Sequence, residues 1–159
     1  MANVIEGRLT AAPYSFGIIV SRFNELLTRR LMESALDCLR RHGAEEKSID
    51  VIYCPGAFEL PQVAHQLAST HNYDALICLG CIIRGETPHF EYIANAATAG
   101  ISRVALESGV PTVFGVLTTD SLEQAIERAG AKGGNKGWDA ALAAIELADL
   151  QKEISRKKK

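Results

Sequence analysis

The segment best suited to chemistry runs from Cys81 to Tyr92 and reads CIIRGETPHFEY. It follows a run of apolar residues and leads into a helical pattern, so a strand ends here and a helix begins. The amide N–H groups at a helix start bind anions, and Pro88 in the first turn removes no donor that the helix needs. His89 lies beside this anion site. The pattern indicates a phosphate-bearing substrate whose protons are moved by a histidine.

His89 is the histidine best placed for catalysis. Imidazole takes up and releases protons near neutral pH, which suits general acid–base work at this position. The alternative is a histidine that caps or packs the first turn. The other histidines, His42, His65 and His71, lie on or beside helical patterns without a comparable setting. We interpret those three as structural or surface residues.

Three further segments follow apolar runs and carry side chains suited to a ligand. Phe23, after a polar Ser-Arg pair, is either an aromatic platform for a planar heterocycle or a loop aromatic that covers the core. Gly56 and Ala57 let the backbone approach a ligand, and Glu59 either accepts hydrogen bonds from hydroxyls or favours a helix N-terminus. The last segment is 118–120. Ligands of open parallel sheets bind beyond the strand ends, so we expect these loops to converge.

Arg128 and Lys136 bracket a glycine-rich turn near the end of the chain. An arginine offers a planar fork for phosphate oxygens, and a lysine offers a mobile charge. Neither follows a strand end, so spacing alone favours an exposed helix face. The turn does not match the phosphate loop G-x-x-x-x-G-K-[ST], because Asn135 and Gly137 occupy its second glycine and hydroxyl positions and a helix precedes it.

The elements that must position these residues alternate along the chain. Four apolar, β-rich runs cover 16–20, 49–54, 75–83 and 112–117, and helical patterns cover about 25–42, 58–69, 88–108, 121–129 and 138–154. Strands that are apolar on both faces and alternate with helices indicate a parallel sheet covered on both sides. The prediction is an α/β three-layer sandwich with a flavodoxin-like, four-stranded parallel sheet. Ser121 and Gln124 fit a capping box at the fourth helix.

Composition limits the class of protein. Residues 1–159, with 47% hydrophobic and 23% charged side chains, fit one globular domain. A net charge of -2 gives no reason to expect nucleic acid or an acidic membrane as a partner. We expect a cytosolic protein, since no apolar run could span a bilayer and no leader is apparent. The basic end, 156–159, is expected to be a solvated tail.

The four cysteines, Cys38, Cys54, Cys78 and Cys81, lie in apolar segments, as expected of buried thiols in a reducing compartment. Cys78 and Cys81 have the C-x-x-C spacing of redox and metal sites. Positions three apart on a strand point to opposite faces, and no second pair completes four ligands. A redox pair would also open a helix. We therefore predict free structural cysteines and no metal.

The first dozen residues, 1–12, stand outside the alternating pattern. Val4 to Leu9 is a short extended segment whose backbone groups need partners. It could lie along its own subunit, or it could extend the sheet of another subunit and tie the fold to an oligomer.

Five segments, taken in order, resemble the 6,7-dimethyl-8-ribityllumazine synthase family. They are 21–24, 55–61, 83–92, 114–118 and 123–137. These five segments span nearly the full length of the chain, and a match of five segments in order is far more specific than any single motif. The resemblance implies a transferase of riboflavin biosynthesis that condenses 5-amino-6-(D-ribitylamino)uracil with 3,4-dihydroxy-2-butanone 4-phosphate, releases phosphate and water, and uses no cofactor.

The resemblance also implies a role for each site residue. The pyrimidine would stack on Phe23, and its polar edge would form hydrogen bonds with Asn24 and with the backbone near Ile82 and Ile83. The ribityl chain would be bound by Ala57, Phe58 and Glu59. The phosphate would be bound by the N–H groups of Glu86 and Thr87 together with Arg128. His89 would shuttle protons. The Glu86 carboxylate would oppose anion binding if it turned inward, so we expect it to face solvent.

Finally, the resemblance implies sites that lie between subunits, with Phe114, Arg128 and Lys136 supplied by the adjacent chain. It implies pentamers and, from the glycine-rich turn 130–137, an icosahedral shell of twelve pentamers in which 1–12 joins a neighbour's sheet. Partners would be small-molecule substrates and copies of this chain, with riboflavin synthase left open. The alternative function is non-catalytic, either flavin or lumazine binding or shell formation.

Overall fold

Strands and helices alternate in the computed structural model, which describes residues 1–131 and 134–158. The strands are β1 (Phe16–Ser21), β2 (Ile49–Cys54), β3 (Ala75–Ile83) and β4 (Thr112–Thr119). The α-helices are α1 (Glu25–Arg41), α2 (Leu60–Ser69), α3 (His89–Ser108), α4 (Leu122–Arg128) and α5 (Lys136–Lys157). Each predicted strand and helix is present, and the ends differ by a few residues.

The strands form one parallel sheet in the order β2-β1-β3-β4. The two central strands are buried along their length, apart from the half-buried last residue of β3, and the edge strands β2 and β4 keep several half-buried or exposed positions. Parallel neighbours require crossover connections, which here place helices on both faces. The predicted flavodoxin-like three-layer α/β sandwich is therefore confirmed.

Two apolar clusters fill the space between the sheet and its helices. One includes Ile18, Leu31 and Ile145, on the side of α1 and α5. The other includes Ile19 and Leu60, on the side of α2 and α3. Full burial of one aliphatic side chain contributes about 1.5 to 3 kcal/mol. These layers fix the carboxyl ends of the strands, where the loops of interest begin.

Close helix packing depends on two glycines. A methyl group on Gly137, at the start of α5, would collide with the carbonyl oxygen of Leu31 in α1. A methyl group on Gly100 in α3 would come within 2.6 Å of the Pro61 side chain in α2. Any larger residue at either position must push two helices apart.

Two helices, α2 and α5, begin two residues away from the predicted start. α2 begins at Leu60 rather than Phe58, because Ala57–Glu59 forms a separate 3-10 turn. α5 begins at Lys136 rather than Trp138, because the Asn135 side-chain oxygen accepts the N–H of Gly137 at 2.7 Å and caps the helix earlier.

The predicted capping box at α4 is half formed. Ser121 Oγ accepts the N–H of Gln124 at 3.2 Å, as a capping box requires. The Gln124 side-chain oxygen accepts the N–H of Asp120 at 2.8 Å instead of that of Ser121. The cap of α4 therefore includes Asp120, the last residue of the loop that follows β4.

The N-terminal segment lies on its own subunit from Gly7 to Tyr14. The Arg8 N–H and the Tyr14 hydroxyl donate to the Asp149 carboxylate of α5, at 2.8 and 2.6 Å. The Ala11 N–H donates to the His42 carbonyl at 2.8 Å. Residues 1–6 are exposed. The first of the two expectations holds for 7–14, and pairing of 1–12 with a neighbour stays a prediction.

The basic end is exposed as expected, but it continues α5 to Lys157 instead of fraying. Lys159 lies outside the described residues, as do Lys132 and Gly133 of the glycine-rich turn on which the shell expectation rests. Within the ranges described, none of the helices has the length and apolar character needed to cross a bilayer.

Candidate active site

A cavity of about 580 Å³ opens at the carboxyl ends of the strands. Its walls come from Phe23, from residues 55–59 and from eight of the residues between Cys81 and Ile93, at the ends of β1, β2 and β3. The volume suits a small-molecule ligand, and the position is the one that open parallel sheets use for binding. Three of the four predicted loops therefore meet at one site. The fourth, 118–120, does not line it.

An aromatic ring stands at the mouth of the cavity. Phe23 is 72% exposed, so it does not cover the core. Its N–H donates to the Pro55 carbonyl at 3.1 Å, and the next residue, Asn24, has a left-handed φ of 62°. The Asn24 amide nitrogen donates to the Cys81 carbonyl at 2.8 Å, which leaves its side-chain oxygen to accept from a ligand. This loop holds the ring in place.

The second wall includes the 3-10 turn Ala57–Glu59. Ala57 is buried, Phe58 is 58% exposed, and Glu59 is half-buried. A methyl group on Gly56 would lie 3.1 Å from a carboxylate oxygen of Glu59, so glycine gives that carboxylate room against the backbone. Carboxylate oxygens accept hydrogen bonds from hydroxyls, which makes this wall suitable for a polyhydroxylated chain.

The third wall is the end of β3 and the start of α3. Ile82 and Ile83 end the strand, residues 84–88 are exposed, and Pro88 caps the helix with φ −70° and ψ 2°. His89 is the first helical residue and lines the cavity with Thr87. The side chain of Glu86 is exposed. The N-terminus of a 20-residue helix, which carries a partial positive charge, thus borders the cavity.

Eight of the predicted site residues line this cavity and five do not: Asn24 and Glu86 adjoin it in the same loops, and Phe114, Arg128 and Lys136 lie elsewhere on the chain. The cavity is lined by Phe23, Ala57, Phe58, Glu59, Ile82, Ile83, Thr87 and His89. Phe114 instead lies in a groove between α3 and β4, Arg128 is exposed at the end of α4, and Lys136 is exposed at the start of α5. Among the described residues, the lining contains no arginine or lysine. One chain therefore offers amides to an anion but no cation.

Arg84, beside the cavity, has no role that the sequence alone predicts. Arg84 contacts Asp120, Glu91 and Phe90, and so connects the 118–120 loop to the start of α3. Its place directly before Gly85 was visible in the sequence. Its partners were not, because Asp120 is 36 positions away along the chain.

The C-x-x-C pair is structural, as predicted. Cys78 and Cys81 belong to the apolar clusters on opposite sides of the sheet, and all four cysteines are free and buried. Burial raises the pKa of the Cys81 thiol to about 11 and raises that of Cys78 as well, so both stay protonated at neutral pH. No group of three or more potential metal ligands occurs within the residues described.

Comparison with known proteins places this geometry in a family. The family model described as 6,7-dimethyl-8-ribityllumazine synthase matches residues 13–152, which include every loop of the cavity. Two proteins named 6,7-dimethyl-8-ribityllumazine synthase, from two strains of Clostridium kluyveri, are each 55% identical over 152 residues, covering 96% of this chain and 99% of theirs. The chain belongs to the 6,7-dimethyl-8-ribityllumazine synthase family.

Proposed function

We propose that this protein is a transferase of riboflavin biosynthesis. It condenses 5-amino-6-(D-ribitylamino)uracil with 3,4-dihydroxy-2-butanone 4-phosphate and gives 6,7-dimethyl-8-ribityllumazine, phosphate and water. Family membership over nearly the whole chain supports this reaction. The observation that carries it is that His89, at the start of α3, lines the same cavity as Phe23 and Glu59.

The pyrimidine substrate occupies the side of the cavity near β1. Its ring stacks on the exposed face of Phe23, and its polar edge meets the Asn24 side-chain oxygen and the backbone at Ile82 and Ile83. Its ribityl hydroxyls donate to the Glu59 carboxylate beside Ala57 and Phe58. This arrangement presents the reactive amine toward α3.

The phosphate of the second substrate sits on the N–H groups of Glu86 and Thr87, at the positive end of the α3 dipole. The exposed Glu86 carboxylate stays in solvent while its backbone serves the ligand. The butanone carbonyl then lies between this anion site and the amine. The loop therefore sets the distance between the two reacting groups.

The reaction needs proton transfers at each stage. The amine adds to the ketone and loses water to form an imine, the phosphate leaves by elimination, and the second amine closes the ring on the remaining carbonyl with loss of a second water. His89, at the junction of the two substrates, takes and returns these protons. Holding both molecules in one cavity supplies much of the acceleration, because no strong protein nucleophile is required.

The missing cation points to a site shared between subunits. The cavity wall described here contains no arginine or lysine, whereas Arg128 and Lys136 are exposed elsewhere on the same chain. We propose that a neighbour in a pentamer supplies Phe114, Arg128 and Lys136, with Arg128 completing the phosphate pocket. The exposed part of the 1–12 segment, residues 1–6, extends a neighbour's sheet, and its exposed apolar side chains Val4 and Ile5 support this.

We further propose that twelve pentamers form an icosahedral shell, and that the protein works in the cytosol, where its four thiols stay reduced. Light scattering of the purified protein tests the shell. A particle of twelve pentamers is expected, and free pentamers at every pH and phosphate concentration would reject it.

The reaction is tested by incubating the purified protein with both substrates. Lumazine absorbance and released phosphate are followed together, and the two are expected to rise in equal amounts well above the unassisted condensation. A rate equal to the unassisted one would leave only binding of flavin or lumazine, or a structural shell.

A further inference from the structure

Arg84 spans the two ends of the proposed phosphate loop. It is the first residue after β3, and its N–H donates to the Thr119 carbonyl at 2.8 Å, which extends the pairing with β4. Its side chain returns to α3, where Nη1 donates to Glu91 at 3.4 Å and the guanidinium carbon lies 4.6 Å from the centre of the Phe90 ring. Both of those residues follow His89 directly. The side chain therefore closes the loop 85–88.

The same guanidinium reaches a third element. Its Nε donates to the Asp120 carboxylate at 2.8 Å, and the Asp120 N–H donates to the Gln124 side chain of α4 at 2.8 Å. α4 ends at Arg128. Arg84 thus connects the loop that would receive the phosphate to the helix that would offer its cation to a neighbouring site.

Little else holds the loop between these ends. Residues 84–88 are exposed, and a methyl group built on Gly85 would meet no atom within 4 Å. The positions of the Glu86 and Thr87 amides thus depend on how the loop is held where it begins and ends. Arg84 links both.

An arginine beside a phosphate loop would ordinarily be interpreted as a phosphate ligand. Here its charge is compensated by two carboxylates, Asp120 and Glu91, and it does not line the cavity. The three charged groups together are net negative, which does not favour an anion. The guanidinium is also fixed over the Phe90 ring.

We propose that Arg84 is a positioning residue, which places the phosphate-binding amides and His89 by bridging the loop to α3 and to Asp120. This inference rests on the proposed function of the cavity. Lysine cannot replace it, because a single ammonium cannot bridge two carboxylates and stack on a ring at once. Exposed ion pairs add little to global stability, so the effect falls on catalysis and leaves unfolding nearly unchanged.

The test compares Arg84→Ala, Arg84→Lys, Asp120→Asn and the double variant Arg84→Ala/Asp120→Asn with the wild type. Arg103→Ala is the control, because it removes an exposed arginine of α3 whose Nε also donates to a carboxylate at 2.8 Å. For each protein, kcat and both KM values are measured, together with thermal unfolding and calorimetric binding of inorganic phosphate.

Arg84→Ala is expected to lower kcat roughly 10- to 100-fold, because His89 and the phosphate-binding amides would no longer be held in position. The KM of the pyrimidine is expected to change less. Arg84→Lys is expected to recover little. Asp120→Asn is expected to lower kcat in the same direction, and the double variant to be no slower than Arg84→Ala, since both act through one contact. The control is expected to match the wild type.

If Arg84 were a phosphate ligand, Arg84→Lys would restore phosphate binding and Asp120→Asn would tighten it, and either result would overturn the inference. Equal kcat for Arg84→Ala and Arg103→Ala would overturn it too. A wild type without turnover would instead reject the proposed function. Should Arg84→Ala fail to fold, Arg84→Lys and Asp120→Asn carry the same comparison.

Discussion

The contact between Tyr14 and Asp149 gives a sharp prediction about stability. Asp149 is 1% exposed in the middle of α5, and its carboxylate accepts the Tyr14 hydroxyl at 2.6 Å and the Arg8 N–H at 2.8 Å. Hydrogen bonds to a charged group contribute about 1.5 to 3 kcal/mol each. Tyr14→Phe removes one such bond from the buried carboxylate. We expect the free energy of unfolding to fall by about 2 kcal/mol.

A matched control is available in Tyr73, whose hydroxyl donates to the Asp50 carboxylate at 2.7 Å on the exposed edge of the sheet. Water can replace that bond, so Tyr73→Phe is expected to cost about 0.5 kcal/mol. Urea unfolding at pH 7 and one fixed protein concentration measures both, because assembly makes stability depend on concentration. Equal losses for the two variants would refute the reasoning.

The pH dependence follows from the same contact. Hydrogen bonds, first from the Arg8 N–H and then from the Tyr14 hydroxyl, lower the pKa of Asp149 below 3.8. The stability that ionised Asp149 contributes is thus complete above the pKa of the unfolded state, and it is lost as the pH falls through the lowered pKa of the folded state. Burial, followed by the bond to Asp149, raises the pKa of Tyr14 to about 12, so that its contribution is lost as the pH rises toward that value.

Asp149→Ala should therefore be less stable at pH 7 and lose less stability on acidification than the wild type. Urea unfolding at a series of pH values between 7 and 3 checks this, with the interval set around the ordinary carboxyl pKa of about 4. An unchanged acid dependence in Asp149→Ala would contradict the account. The result bears on assembly, because this contact fixes where residues 1–6 leave the subunit.

The remaining predictions concern the site and the packing beneath it. His89→Ala should lower kcat by about 100-fold or more, yet leave turnover above the unassisted rate because both substrates are still positioned; complete loss with unchanged binding and assembly would count against proton shuttling plus proximity. Glu86→Ala should leave the KM of the butanone phosphate nearly unchanged in steady-state assays, and a large change would mean that its carboxylate faces the ligand. Gly137→Ala should cost about 1 to 3 kcal/mol in urea unfolding, because the methyl group collides with Leu31, whereas Gly85→Ala, with open space around it, should cost little.

Local patterns in the sequence predicted the sheet and its order with the helices, because each strand is a continuous apolar run and a helical pattern follows each of them. They also predicted that Phe23, Glu59 and His89 would face one ligand, since parallel strands end at the same edge of a sheet. The aromatic platform was one of two open alternatives. The 72% exposure of Phe23 shows that its ring does not cover the core.

Contacts between distant segments could not be predicted from local spacing. The Arg8 to Asp149 bond joins residues 141 positions apart, and the Arg84 to Asp120 bond joins residues 36 apart. A signal for the first was present, because Asp149 falls on the buried stripe of α5 with Ala141 and Ile145. An acidic residue on such a stripe requires a buried partner. In the part of the chain that the structure describes, no arginine or lysine lines the cavity, so local spacing could not assign the cation that we propose for the phosphate.

We propose that each active site joins the cavity of one subunit to Arg128 of the next. Subunits carrying Phe23→Ala and His89→Ala are mixed with subunits carrying Arg128→Ala, dissociated and reassembled in equal amounts, and lumazine formation is measured. In a ring with head-to-tail contacts, random mixing gives an intact site at about one quarter of the interfaces. If the sites are shared, lumazine formation recovers to about one quarter of the wild-type rate. A mixed assembly no faster than the mean of its two parents would contradict it.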